Sequence, residues 1–271
     1  MSRDSQPNEI VSKRVVLTLP GMDEVTISRD IVYGVVDSGV LTMDAYYPPR
    51  SNRSERRPAV VFVSGYSDAG FQRMLGCKLK EMGSYISWAQ LIAVSGIAAI
   101  VYSALEPATD IHSLLAYVRE NAVELGIDEN RIGLWACSGN VPNALAVLME
   151  GNRDYLKCAA LCYGMMLDLD GHRETAESAK MVGFVNPSAG KSVEDLSSEI
   201  PLYIARAGQD TTPHLNETLD RFVSKALSRN LPITLTNHRS GPHAFDTMQD
   251  SPASREVIRQ ILAFMRAHLL A

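Results

Sequence analysis

The sequence predicts an α/β fold with a mostly parallel central sheet and helices on both faces. Three observations point there. Apolar runs such as Ala59–Val63 (AVVFV) and Ile97–Tyr102 (IAAIVY) lack the alternation of a strand with one wet face, so both faces should be buried. Helical patterns fall between these runs. The 271 residues, 46% of them hydrophobic, suffice for one large core.

In order along the chain, residues 1–12 read as a loose tail, without the apolar stretch of a signal peptide. Val15–Leu19, Asp30–Val36 and Leu41–Tyr47 read as strands, the last closed by Pro48-Pro49, and Arg50–Arg57 as a polar loop. Tyr85–Val94 reads as a helix. Asp110–Leu125 reads as an amphipathic helix with Ile111, Leu114, Leu115 and Val118 on one face, stopped by Gly126. Arg131–Ala136 is the next strand and Asn143–Glu150 its helix. Lys157–Tyr163, Pro201–Ala207 and Ile233–His238 are strands, with helices at His214–Arg229 and Ser254–Leu270. Residues 165–199 break the rhythm and read as a small cap or lid inserted into one domain of 271 residues, with a disordered loop as the alternative.

Composition excludes several classes. The net charge is -5 and no basic block occurs, so no nucleic-acid partner is expected. No run of about 18 apolar residues exists, so no membrane partner is expected either. Of the four cysteines, Cys77, Cys137, Cys158 and Cys162, none forms a C-x-x-C pair, and no metal or other cofactor is expected. On a strand Cys158 and Cys162 would lie about 13 Å apart, too far for a disulfide. Reduced thiols imply a cytoplasmic setting. An edge strand near Ile233, with the final helix, offers a surface for a homodimer.

In a parallel sheet, ligands bind beyond the carboxyl ends of the strands. There the chain places Ser64-Gly65-Tyr66, then Cys137-Ser138-Gly139, then Gly208-Gln209-Asp210, then Gly241-Pro242-His243. A hydroxyl, a carboxylate and an imidazole thus arrive in the chain order Ser, Asp, His. LTMDAYYPP, the segment DIHSLLAYVRENAVELGIDENRIGLWACSGN, AGQD and GPHAFD resemble in turn the leading strand, the nucleophile elbow with its preceding helix, the acid turn and the histidine turn of α/β-hydrolases of the esterase and dienelactone-hydrolase-like kind. The resemblance runs from about Leu41 to the C-terminus. It implies a cofactor-independent serine esterase acting on a small-molecule ester, with Ser138 as nucleophile, His243 as base and Asp210 as orienting acid. Lactone, thioester or amide hydrolysis on the same triad is the alternative, and a non-catalytic binding protein of the same fold is a reading from a different class.

Two departures stand out. The usual G-x-S-x-G reads Ala136-Cys137-Ser138-Gly139-Asn140, and Cys137 adjoins Ser138. Residues two before and two after the nucleophile are squeezed against neighbouring backbone. Those residues are Ala136 and Asn140 for Ser138, but Trp135 and Gly139 for Cys137, and Trp135 is too large. The oxyanion donors are expected from the backbone of Gly139 and of Tyr66. Gly65, Cys137, Trp88 and His214 are expected around the substrate. Asp168 and Asp170 are the alternative source of the acid, and Asp246 is expected to serve as a local cap or turn partner.

Overall fold

The computed structural model describes residues 7–37, 39–51, 55–151 and 153–271. The sheet has eight strands: β1 (Thr26–Val36), β2 (Gly39–Tyr47), β3 (Arg57–Phe62), β4 (Ala98–Tyr102), β5 (Ile127–Cys137), β6 (Leu156–Cys162), β7 (Leu202–Ala207) and β8 (Ile233–His238). Their spatial order is β1-β2-β4-β3-β5-β6-β7-β8. The β1–β2 and β2–β4 pairs are antiparallel, and all pairs from β4 to β8 are parallel.

The helices are α1 (Pro7–Ser12), α2 (Asp68–Leu75), α3 (Gly83–Val94), α4 (Pro107–Glu120), α5 (Ala122–Leu125), α6 (Val141–Leu148), α7 (Glu174–Val182), α8 (Leu215–Ser228), α9 (Phe245–Met248) and α10 (Pro252–Leu269). The apolar sides of α4, α6 and α8 pack on one face of the sheet, those of α3 and α10 on the other. The strand interiors Ala59–Val61, Ala98–Ile100 and Ala159–Leu161 are completely buried, as their unbroken apolar character requires.

Some local expectations need correction. Val15–Leu19 is not a strand. Its backbone is satisfied outside the sheet: Val15 N–H donates to Ser87 Oγ, Val16 N–H donates to the Asp246 carbonyl, and the Val16 carbonyl accepts from Arg255 Nε. The expected tail contains α1 from Pro7; residues 1–6 lie outside the described residues. Asp110–Leu125 is two helices, because the run breaks at Asn121, and the first begins at Pro107, where a missing N–H costs nothing. Residues 165–199 contain α7 and a short 3₁₀ turn at Val193–Asp195.

β3 lies between β4 and β5, so the chain winds outward in both directions from this point. The turn leaving β3 therefore lies beside the turn leaving β5. Crevices at such a reversal are where open α/β sheets bind ligands.

Candidate active site

β5 runs extended to Cys137 (φ -137°), and the backbone then reverses at Ser138, which has φ 54°. A non-glycine residue in the left-handed region costs about 1–3 kcal/mol and persists only where its surroundings impose it. A 3₁₀ turn, Ser138–Asn140, leads into α6, whose second residue is Pro142. The hydroxyl of Ser138 is thereby presented at the carboxyl edge of the sheet.

The three residues expected from chain order meet there. Ser138 Oγ lies 3.0 Å from His243 Nε2, and His243 Nδ1 lies 2.7 Å from Asp210 Oδ2. The second Asp210 oxygen accepts the Thr212 N–H at 2.9 Å. The Asp210 side chain is fully buried and that of His243 is 35% exposed. Burial acts to raise the Asp210 pKa, but the His243 hydrogen bond and charge, with the Thr212 N–H, outweigh it and hold the carboxyl below its ordinary range. Asp210 thus stays ionised and fixes the ring so that Nε2 faces the hydroxyl. Asp168, the alternative acid, instead accepts the N–H groups of Thr175 and Ala176 and caps α7.

Cys137 lies behind this turn. Its thiol contacts the Tyr85 hydroxyl at 3.5 Å, and burial pushes its pKa up to about 12. Little thiolate exists at neutral pH, and the thiolate is the reactive form. Trp135 packs against Phe62 at 5.0 Å and Trp88 at 5.3 Å, an arrangement that suits a strand interior.

Asn140 explains the missing glycine. Its φ of -84° is ordinary, so glycine's conformational freedom is not required. Its side chain is buried and joins three elements: Oδ1 accepts the Gly65 N–H at 2.7 Å, and Nδ2 donates to the Cys137 carbonyl at 3.0 Å and to the Tyr85 hydroxyl at 2.9 Å. Two neighbouring glycines leave no room for a side chain without displacing a neighbour. A Cβ on Gly65 would lie 2.5 Å from the Gly139 carbonyl oxygen, and one on Gly139 would lie 2.5 Å from the Tyr66 hydroxyl and 2.7 Å from Phe184. Asn143 adds a second tie, donating to the Ser64 and Pro107 carbonyls.

A cavity of about 280 Å³ opens above Ser138 and His243. Phe71, Met74, Leu75, Leu79, Met82 and Met248 supply much of its apolar wall, and Tyr66, Tyr163 and Cys137 also line it. Ile10, from the expected loose tail, and Lys13, just after it, also line the cavity. A wider cleft of about 660 Å³ lies around Leu156, the first residue of β6, at the opposite end of the strands, and its lining includes neither Ser138 nor His243.

Three expected substrate neighbours lie elsewhere. Trp88 is 1% exposed and is absent from the cavity wall, because its indole N–H is drawn inward to Asp246 Oδ2 at 2.6 Å. His214 is exposed at the start of α8, with φ 63°, and also lies off the cavity. Gly65 is used in backbone packing. Asp246, expected as a local cap, instead points into the core, where its other oxygen accepts the Tyr163 hydroxyl at 2.7 Å. Tyr163 in turn sets its ring edge-on to His243 at 5.2 Å. Sequence reasoning missed these roles of Asn140 and Asp246; the one signal was a departure from glycine at position 140 and a carboxylate three residues after His243. Among the described residues, no group of three or more His, Cys, Asp or Glu side chains is arranged to hold a metal, and no helix is long and apolar enough to cross a membrane.

The strand order and the sharp turn after β5 define the α/β-hydrolase fold. Solved structures agree. An esterase from the planctomycete Thermogutta terrifontis, Est2, superposes with a TM-score of 0.66 over 92% of this chain and 94% of its own, at 20% identity. That protein has also been solved with propionate and with butyrate bound. Est22 with p-nitrophenol gives 0.71 over 97% and 87%, at 17% identity, and a fungal esterase from Rhizomucor miehei gives 0.72 over 98% and 89%, at 16%. At such identities the likeness is one of fold. No protein-family model and no curated protein sequence matches the chain.

Proposed function

We propose that the chain is a serine hydrolase that cleaves small carboxylic esters through an acyl-enzyme. The observation that carries this reading is the relay Asp210–His243–Ser138, with separations of 2.7 and 3.0 Å, ending on a left-handed serine at a cavity floor. The fold shared with structures described as esterases supports it.

His243 Nε2 takes the Ser138 proton as Oγ attacks the ester carbonyl. Asp210 stabilises the imidazolium so formed. The imidazolium then protonates the departing alkoxide, which leaves as the alcohol. Water, deprotonated by the same nitrogen, attacks the acyl-enzyme, releases the carboxylic acid and restores Ser138. The Gly139 N–H, following the nucleophile, is one donor to the tetrahedral oxyanion. The apolar wall and the modest cavity favour short to medium apolar substituents.

A fluorophosphonate probe tests the reading. Wild type and Cys137→Ala should label and Ser138→Ala should not, with turnover of p-nitrophenyl acetate or butyrate following the same pattern. A wild type that neither labels nor turns over would leave a non-catalytic binding protein. Labelling that survives Ser138→Ala and vanishes in Cys137→Ala would move the nucleophile to the thiol.

A further inference from the structure

An oxyanion hole needs at least two convergent donors, and the turn leaving β3 is the element placed to supply the one that Gly139 does not. The backbone N–H groups of Gly65 and Tyr66 in this turn are already engaged. Gly65 N–H donates to Asn140 Oδ1 at 2.7 Å. Tyr66 N–H turns back to Ser64 Oγ at 3.3 Å, while that hydroxyl donates to the Tyr66 carbonyl at 2.8 Å and closes the turn on itself. The expected backbone donor of Tyr66 is therefore engaged within its own turn.

The Tyr66 side chain extends instead to the turn that follows β5. Its hydroxyl stands 2.5 Å from where a Cβ on Gly139 would be, directly beside the residue that follows the nucleophile. Tyr66 lines the same cavity as Ser138 and His243. The ring is clamped between Phe71 at 5.7 Å and Phe184 at 6.0 Å, and the segment carrying Phe184 is tied down by the Val185 N–H on the Gly65 carbonyl at 2.8 Å. A donor held this way costs no reorganisation when charge develops, which is the condition for strong transition-state stabilisation.

We infer that the phenolic hydroxyl of Tyr66, not its backbone N–H, is the second oxyanion donor, partnering the Gly139 N–H. The inference rests on the serine-hydrolase reading above. Burial pushes the phenol up to about 12, so it keeps its proton at neutral pH and can donate it. The tetrahedral oxygen would accept hydrogen bonds from Gly139 N–H and Tyr66 O–H as the carbonyl π bond opens, and no proton need transfer from either.

Tyr66→Phe separates the two donors, because it deletes the hydroxyl and leaves the backbone N–H in place. The expected result is a fall in kcat of about 10²–10³-fold with KM changed less than threefold. Affinity for an alkyl boronic acid, which forms a tetrahedral adduct on the serine, should fall in parallel. A kcat within threefold of wild type overturns the inference and returns the role to the backbone. So does a loss that appears in KM alone with unchanged boronate affinity, the mark of a merely structural ring. If Tyr66→Phe does not fold, monofluorinated tyrosine at position 66 keeps the ring and sharpens the donor; a kcat and boronate affinity that ignore this change also overturn it. Wild-type protein that fails to label at Ser138 indicts the hydrolase reading instead, whatever Tyr66 does.

Discussion

The side-chain oxygen of Asn140 accepts the backbone N–H of Gly65 at 2.7 Å, tying the turn at Ser138 to the turn that leaves β3. The two residues are 75 positions apart in the chain. They meet because β3 and β5 are neighbours in the sheet and because neither Gly65 nor Gly139 carries a Cβ to hold the turns apart. An asparagine at the usual second glycine of the elbow is here a structural fastener.

Removing the fastener should cost stability first. Asn140→Ala leaves the buried Gly65 N–H without its acceptor, a loss on the order of 1–3 kcal/mol, measurable by urea denaturation. Asn140→Gly should do no better than alanine, because φ at this position is already right-handed. A glycine variant as stable as wild type would contradict this.

Asp246 lies under the pocket and joins Trp88 on α3 to Tyr163 at the end of β6. Burial raises its pKa above the ordinary carboxylate value, against the hydrogen bonds from Trp88 and Tyr163. Between the unfolded and the folded pKa the native state holds a proton that the unfolded chain has released, so this group's contribution to stability falls as pH rises through that window. Asp246→Asn lacks the titration. Its deficit relative to wild type should be largest below the ordinary carboxylate range and should shrink toward neutral pH. Asp246→Ala also lacks the titration and strands two buried donors, so it should lose about 2–4 kcal/mol with the same pH trend in its deficit. Thermal melts of the three proteins across the acid range give the comparison.

Asp210 has the opposite sign. Its folded pKa is depressed, so the stability it contributes is present above the ordinary carboxylate value and is lost as pH falls below that value through the folded one. In Asp210→Asn, the amide N–H would face His243 Nδ1 and turn it into an acceptor, leaving the proton on Nε2, where it cannot receive one from Ser138. A loss of about 10⁴-fold in kcat is expected, with boronate binding reduced far less. The acid limb of the wild-type stability curve attributable to Asp210 should be missing in this variant.

The sheet was legible in the chain because strand burial is written locally: Ala59–Val63 and Ile97–Tyr102 carry no polar alternation, and both lie in the interior. Val15–Leu19 misled for a related reason. A short, largely apolar run looks like a strand, but here its backbone bonds went to Ser87 and Asp246 and not to a sheet. His214 is expected near the substrate because it follows Asp210 by four residues, and Trp88 as an aromatic residue that could face either the core or the substrate. Trp88 turned away because a buried indole N–H needs an acceptor and Asp246 supplies one. His214 stayed outside because its backbone opens α8 at the surface.

By itself the chain determined the α/β class and the order Ser138, Asp210, His243 at strand ends; it also pointed to Ser138 over Cys137 on size alone. These depend on composition and on sterics within a few residues. Only the tertiary structure decided which groups are spent on holding the site and which remain to act. Asn140 finds Gly65, Asp246 finds Trp88 from 158 residues away, and the Tyr66 hydroxyl reaches Gly139. Such partners are chosen by where the sheet sets its strands side by side, because a buried polar group must be satisfied by whatever packing brings within about 3 Å.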